Sequence, residues 1–227
     1  MNKKLIFILI GLIISGLSVM TNSYAYTIND PVPDRIGDRA FEIYGMNVSN
    51  TINTITFDIY TNYPQSGFPV SAWNTFAGDL ALSLDGDDTY EYGVAFTNHN
   101  GFAAGSVYAV TDWYESNDYA PSGYNYNKDQ IVTIKTGTFK GLASLTWEDI
   151  SGSNPDNRWR VTLDASDFGI SGLTNLHGQN FKIFYSVATC SNDNIGGSYT
   201  ATPEPSSLSL LGLGLFGLAG LGRKRRK

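Results

Sequence analysis

The amino-acid sequence predicts an all-β protein, an antiparallel β-sandwich of about nine strands. Apolar residues alternate with polar ones in many short segments, as in residues 53–61, where Ile55, Phe57 and Ile59 share one face. Clusters of Gly, Asn, Asp and Pro separate these segments every 8–20 residues, as at 85–88 and 151–155. Between residues 26 and 202, no helical pattern is long enough for a βαβ unit. These observations favour a jelly-roll or lectin-like sandwich.

The elements follow from the same alternation. The predicted strands, in chain order, are 41–46, 53–61, 79–84, 90–96, 106–111, 130–135, 142–147, 158–163 and 181–189. Short helical turns are expected near 72–76 and 166–168. The sandwich is assigned to residues 26–197, and a polar stretch that contains proline, residues 198–207, is expected to be a flexible linker.

Composition limits the functions that this domain can have. Residues 26–202 carry 8 Lys and Arg against 20 Asp and Glu, a net charge of −12. Such a surface repels nucleic acids and anionic lipids and favours solubility and divalent cations. The single cysteine, Cys190, cannot form an intramolecular disulfide, so the core alone must hold the fold.

The N-terminus has the three parts of a secretory signal peptide. Lys3 and Lys4 precede the apolar residues 5–20, and Ser23 and Ala25 provide small side chains before a cleavage site. Residues 1–25 are therefore expected to form a signal helix that a signal peptidase removes after Ala25. A retained membrane anchor is the alternative, which the small-residue site disfavours.

The C-terminus has a second three-part pattern. Pro203, Glu204 and Pro205 are followed by the uncharged residues 206–222, which are expected to form a transmembrane helix. Five basic residues close the chain and should resist translocation: Arg223, Lys224, Arg225, Arg226 and Lys227. A simple tail anchor would show the apolar and basic parts without any role for the Pro-Glu-Pro tripeptide.

Residues 203–227 resemble the PEP-CTERM sorting signal, since its three parts occur here in order at the end of the chain. The resemblance implies recognition by an exosortase, a membrane transpeptidase of bacteria that make extracellular polysaccharide. It also implies an exported precursor, anchored in the inner membrane and then placed at the cell surface or in the extracellular matrix. The Leu-Pro-x-Thr-Gly motif of Gram-positive sortase substrates is absent from the sequence.

Three short motifs in the domain resemble a cyanobacteria-rich group of exosortase-dependent surface proteins. They are Ile36-Gly37-Asp38-Arg39 before the first predicted strand, Gly78-Asp79-Leu80, and Ala188-Thr189-Cys190-Ser191-Asn192-Asp193. This resemblance covers the two ends of the domain better than its middle. It implies a surface location and no known catalytic activity.

No motif in the sequence indicates an enzyme. His99 and His177 have no metal-ligand spacing and are expected to be loop residues, and Cys190 has no nucleophile signature. The many carboxylates leave paired-acid glycosidase chemistry open, but the sequence singles out no pair.

Ca²⁺ is the one cofactor that the sequence suggests. Asp85, Asp87 and Glu91 alternate with Thr89 at a predicted turn, so their oxygens could converge on a hard cation. The alternative is a solvated hairpin turn that uses Asp-Gly chemistry. Residues 192–194, Asn-Asp-Asn, are a weaker candidate.

An aromatic and polar stretch is the candidate for sugar binding. Its rings alternate with Asn, Asp and Glu: Trp113, Tyr114, Tyr119, Tyr124 and Tyr126. Aromatic faces stack on sugar CH groups, and amides and carboxylates bind hydroxyls. Alternatively, these rings cover one end of the sandwich as core and turn residues.

Together these features predict a non-enzymatic surface or extracellular-matrix protein with a structural or adhesive role in the envelope, the exopolysaccharide layer or a biofilm. A carbohydrate-binding module is the main alternative, and a secreted hydrolase is less favoured. The expected partners are exosortase and signal peptidase as processing enzymes, extracellular polysaccharide, and the membrane through the C-terminal helix, but not nucleic acid.

Overall fold

A computed structural model of the chain describes residues 25–202, except 71–72, 151, 153–154 and 171–174, together with Gly214. Within this part the protein is an all-β antiparallel sandwich, which confirms the predicted fold class. The strands are β1 (Tyr26–Asn29), β2 (Ile43–Asn50), β3 (Thr54–Thr61), β4 (Phe68–Val70), β5 (Trp73–Thr75), β6 (Leu80–Ser83), β7 (Tyr92–Val94), β8 (Ser106–Glu115), β9 (Ile131–Leu142), β10 (Ser144–Asp149), β11 (Asn157–Asp164), β12 (Asn180–Ser186) and β13 (Asn194–Thr200).

Two sheets form the layers of the sandwich. One has the strand order β1-β2-β3-β11-β10 and the other β13-β12-β6-β7-β8-β9, while β4 and β5 form a small separate ribbon. The short helical elements are a 3-10 turn at Arg39–Phe41, helix α1 at Ser116–Tyr119 and a 3-10 turn at Ala165–Phe168. The last of these confirms the helical turn predicted near residues 166–168.

Strand β3 shows why these segments form a sandwich. Ile55, Phe57 and Ile59 are fully buried, while the residues between them are only partly buried and face outward. On the outer face Asp58 accepts hydrogen bonds from Arg160 on the neighbouring β11, at 2.7 and 2.9 Å. The alternation therefore buries one face of the strand and keeps the other solvated.

The core between the sheets is rich in aromatic side chains. The ring of Phe96 lies 5.1 Å from that of Trp159 and 5.2 Å from that of Tyr185, measured between centroids. Trp159 comes from the five-stranded sheet and Tyr185 from the six-stranded sheet, so this contact joins the two layers. Rings at these distances add packing energy to the area that they bury.

A second, smaller hydrophobic cluster lies on the other face of β8. Val107 belongs to the main core, whereas its neighbour Tyr108 packs with Val110 and Ile134 and with the half-buried Trp113. Adjacent residues of a strand point to opposite faces, so this cluster is outside the sandwich core. The pairing of β8 with β9 is interrupted by register shifts between Val107 and Glu115.

The C-terminal boundary of the domain differs from the sequence prediction. The structure places residues 194–200 in strand β13, so residues 198–200 are not part of a flexible linker. The strand was hidden because Gly196 and Gly197 resemble turn residues. A Cβ atom at Gly197 would lie 2.9 Å from the Cδ1 atom of Ile28, so the glycine allows β1 to pack closely on β13.

Three other elements correct the predictions. The segment near residues 72–76 is not a helical turn, because Trp73–Thr75 pairs with β4. Strand β2 begins at Ile43 rather than at residue 41, because Phe41 closes a 3-10 turn. Strand β8 extends to Glu115, so Trp113 and Tyr114 lie in a strand and not in a loop.

No helix among the described residues is long and apolar enough to cross a lipid bilayer. The predicted signal helix, residues 1–25, lies outside the described residues except for Ala25, and the predicted transmembrane helix does so except for Gly214.

Candidate functional site

The folded domain reaches the residue that precedes the Pro-Glu-Pro tripeptide. Asn50, at the end of β2, donates a hydrogen bond from Nδ2 to the carbonyl oxygen of Thr202 at 3.0 Å. Its Oδ1 accepts hydrogen bonds from the Thr202 backbone N–H at 3.3 Å and from the Tyr199 hydroxyl. Ala201 is buried and its N–H donates to the carbonyl of Gln179 at 2.9 Å. The chain therefore leaves the sandwich at a fixed point.

The N-terminus of the domain lies at the same end of the sandwich. Ala25, the predicted cleavage position, is exposed and directly precedes β1. Tyr26 pairs with Val48 near the end of β2, and its ring lies 6.0 Å from that of Tyr199. Both ends of the domain thus emerge close to Asn50.

The sorting residues themselves are not part of the described structure. Pro203, Glu204 and Pro205 lie outside the described residues, as does the basic cluster of Arg223, Lys224, Arg225, Arg226 and Lys227.

The turn between β6 and β7 brings the predicted calcium ligands together. Carboxylate oxygens of Asp85, Asp87 and Glu91 lie within 4.8 Å of one another. These carboxylates accept hydrogen bonds from backbone groups of the turn itself. Asp87 accepts from the Thr89 N–H at 2.6 Å, and Glu91 accepts from the Leu84 N–H at 2.7 Å. The hydroxyl of Ser83 donates to Asp85 at 2.7 Å and lowers the pKa of that exposed carboxyl.

The predicted sugar-binding residues do not form one surface. Trp113 donates from its ring nitrogen to the Tyr90 carbonyl at 2.9 Å, and it covers Gly93 as part of the second hydrophobic cluster. Tyr114 and Tyr119 do come together, with ring centroids 5.5 Å apart in an edge-on arrangement.

The remaining two rings lie beyond helix α1. Tyr124 is 39% exposed and Tyr126 is half-buried, in the loop that leads to β9. The structure therefore assigns Trp113 to packing and leaves Tyr114, Tyr119, Tyr124 and Tyr126 as the accessible part of the candidate.

Beside Tyr119 lies a buried ionisable pair that the sequence did not predict. Nε2 of His99 is 3.1 Å from Oδ2 of Asp79, and both side chains are almost completely buried. Asp79 also accepts hydrogen bonds from the backbone N–H groups of Phe96 at 3.1 Å and Ile134 at 2.8 Å. Nδ1 of His99 lies 2.9 Å from the carbonyl oxygen of Thr97.

The electrostatics of this pair follow from its burial. Burial raises the pKa of Asp79, and the contact with His99 opposes that rise. Burial alone would lower the pKa of His99, but the Asp79 carboxylate beside its Nε2 raises it above its ordinary value. Asp79 contacts both His99 and the N–H of Ile134, so the pair connects the 95–102 loop to β9. Both ring nitrogens of His99 face protein groups, which leaves neither of them available to a substrate.

Neither of the other residues considered for chemistry gains a reactive environment. Cys190 is buried, and this burial raises the pKa of its thiol to about 12, so it is protonated at neutral pH. The groups of potential metal ligands among the described residues contain carboxylates and neither histidine.

Of the three short motifs noted in the domain, the first and third are in contact, and the second packs against the end of β12. The backbone N–H of Ile36 donates to the Asn192 carbonyl at 2.7 Å, which joins the first motif to the third. The backbone of Gly78 lies close to the carbonyl oxygen of Ser186. A Cβ atom at this position would be only 2.5 Å from that oxygen, so a residue with a side chain would not fit without a shift. The sequence did not indicate that these motifs lie near one another. In the fold they lie around the beginning of β6 and the end of β12.

Comparison with known proteins identifies the C-terminal segment. Residues 201–226 match the family model of the PEP-CTERM protein-sorting motif. No curated protein and no solved structure matches the chain significantly. The motif marks an exported, membrane-associated precursor that is processed for the cell surface. The chain therefore carries a PEP-CTERM protein-sorting motif at its C-terminus, which indicates that an exosortase targets it.

Proposed function

We propose that the chain is a non-enzymatic component of the cell envelope or extracellular matrix, with a structural or adhesive role in the exopolysaccharide layer. The observation that carries the proposal is the junction at Thr202. The sandwich is complete at this residue, and the matched sorting motif begins at residue 201. Processing within the motif would therefore deliver an intact folded domain.

Both termini of the sandwich lie at one end of the domain, near Asn50. This supports the proposal that the other end of the sandwich is the one displayed. Strands β12 and β13 pair from Asn180 with Thr200 to Ser186 with Asn194. Six residue steps along a strand correspond to about 20 Å. The 187–193 loop is therefore about this far from Thr200, at the end of the sandwich opposite the exit at Thr202. We propose that the loops at this end contact the extracellular polymer.

The reactive groups of the domain favour a non-enzymatic role. Both nitrogens of His99 are directed at protein groups, and the Cys190 thiol is buried and protonated. Each of these would need substantial rearrangement before it could act as a base or a nucleophile.

The proposal is tested in the native host by deleting the gene and measuring how much polysaccharide and protein remain with the cells. We expect loss of adhesion or of matrix retention, restored by the native gene. A copy that lacks residues 203–227 should be secreted without restoring it. Normal adhesion and a normal matrix in the deletion strain would contradict the proposal.

A carbohydrate-binding module is the second candidate, and the surface around Tyr119 supports it. Tyr114 and Tyr119 are half-buried neighbours, Lys135 lies 5.5 Å from the centre of the Tyr114 ring, and Asn100 donates to the Tyr119 hydroxyl at 3.3 Å. Rings next to amide and charged groups are typical of sugar sites. A glycan array that shows one preferred glycan, with binding lost in Tyr114→Ala and kept in Tyr90→Ala, would favour this candidate.

A further inference from the structure

Two loops meet at the end of the sandwich opposite Thr202. The first, residues 30–42, connects β1 to β2, and the second, residues 187–193, connects β12 to β13. The Ile43 N–H donates to Oδ2 of Asp193 at 2.7 Å, and the Asn194 N–H donates to Oδ1 of the same carboxylate at 2.9 Å. Together with the hydrogen bond from Ile36 to Asn192, these contacts fix the position of Asp193 between the loops.

Three carboxylates converge at this place. Oxygens of Asp30, Asp34 and Asp193 all lie within 4.8 Å of one another. Oxygen ligands on opposite sides of a Ca²⁺ ion are separated by about twice the metal–oxygen distance, roughly 4.6–5.2 Å. The three oxygens can therefore reach one ion without rearrangement of the backbone.

An independent feature of the same region also suggests cation binding. The side chain of Glu42 is 1% exposed, and only one of its oxygens is paired, with Arg35. Its other oxygen, Oε1, is buried and has no hydrogen-bond partner, and the same is true of Oδ2 of Asp30. Glu42 directly precedes Ile43, whose N–H binds Asp193, so its side chain lies next to the three aspartates. Its charge raises the pKa of both Asp30 and Asp193. Buried carboxylate oxygens are normally hydrogen-bonded or bound to a metal.

The carboxylates in this region repel one another. Burial, and after it the charges of Asp193, Asp34 and Glu42, raise the pKa of Asp30 to about 8. Burial is also the main reason that the pKa of Asp193 rises to about 7. Arg35 supplies one positive charge, which it shares with Glu42. A divalent cation would compensate the excess negative charge.

We propose that Asp30, Asp34 and Asp193 bind one Ca²⁺ ion, next to the charge of Glu42. Every donor in the set is a carboxylate oxygen, which suits a hard cation and not zinc or copper. The ion joins the 30–42 loop to the 187–193 loop and stabilises the end of the sandwich opposite Thr202.

The β6–β7 turn is a weaker cation site by the same criteria. No oxygen of Asp85, Asp87 or Glu91 is buried without a hydrogen-bond partner, in contrast to Oδ2 of Asp30 and Oε1 of Glu42. The two sites share no residue, so substitutions separate them.

The test is calcium binding by the full chain, purified in detergent and freed of metal with a chelator. Titration calorimetry should show binding of one Ca²⁺ ion. A hundredfold excess of Ca²⁺ over the dissociation constant should raise the melting temperature by about 5–10 °C for a domain of this size. Asp34→Asn should weaken the affinity at least tenfold. Because Asp34 is exposed, this variant should keep the circular dichroism spectrum of the native chain.

The matched control is the triple variant Asp85→Asn, Asp87→Asn and Glu91→Gln, which should keep the same affinity and the same thermal shift. Asp30→Asn should behave like Asp34→Asn, and if it fails to fold, Asp34→Asn alone decides. Three results would overturn the proposal: no Ca²⁺ binding by the native chain, native affinity in folded Asp34→Asn, or binding lost in the triple variant.

Discussion

Asn50 binds both backbone polar groups of Thr202, 152 residues later in the chain. The amide donates to the carbonyl oxygen and accepts from the N–H, as the backbone of a neighbouring strand would. Thr202 is the last residue before Pro203. The domain therefore continues to the sorting tripeptide without a flexible spacer, and Asn50 sets the point where the chain leaves the sandwich.

Asn50→Ala should loosen this exit point. It removes the partners of Thr202 and leaves the Tyr199 hydroxyl without its acceptor. We expect the free energy of unfolding to fall by about 1–3 kcal/mol. Limited proteolysis should cut faster near residues 198–202. The control is Asn125→Ala in an exposed loop, which should change neither quantity, and equal cleavage of the two variants would contradict the role of Asn50.

The Asp79–His99 pair should make stability depend on pH. The folded state binds the His99 proton more tightly than the unfolded state, because Asp79 raises the pKa of His99. The stabilisation is therefore complete below the unfolded pKa of about 6.5 and is lost as the pH rises through the folded pKa. Burial raises the pKa of Asp79 also, which acts in the same direction.

Urea unfolding between pH 5 and pH 9 measures this effect. His99→Gln should lose the part of the pH dependence that belongs to the pair. Other groups contribute to the total, since Tyr119 and Tyr185 lie near Asp79, and Asp30 and Asp193 also have raised pKa values. The informative quantity is therefore the difference between native and variant curves. Parallel curves would show that His99 does not titrate with Asp79.

Gly78→Ala should be strongly destabilising, although glycine and alanine differ by one methyl group. The added Cβ would lie 2.5 Å from the Ser186 carbonyl oxygen and 2.9 Å from that of Val132, both of them backbone atoms. We expect a loss of about 1–3 kcal/mol or more, measured by urea unfolding. Gly196→Ala is the graded control, since its nearest contact would be 3.2 Å, and it should cost less. An equal or larger loss at Gly196 would contradict this account.

The features that could be predicted from the sequence are those that depend on a local pattern of residues along the chain. Strand β3 was found because Ile55, Phe57 and Ile59 alternate with polar residues, and the sorting signal because its parts follow one another along the chain. Strand β13 was missed because its two glycines look like a turn until Ile28 is seen to pack on Gly197.

The buried polar sites could not be read from the sequence. Asp79 and His99 are 20 residues apart and meet only because a loop folds back onto β9. Asp30 and Asp34 lie more than 150 residues before Asp193, and no spacing rule connects them. Such sites form where strands pair and loops come into contact. The alternation of apolar and polar residues along one strand does not specify which strands and loops will meet.

The most direct test of the central claim is the C-terminus of the surface-displayed protein in its native host. Mass spectrometry should find a chain that ends near Pro205, with the basic tail missing and the sandwich through Thr202 intact. Deleting the host exosortase should leave the uncut chain in the inner membrane. A surface form that still ends at Lys227 would show that the tail is a plain anchor and would contradict the account.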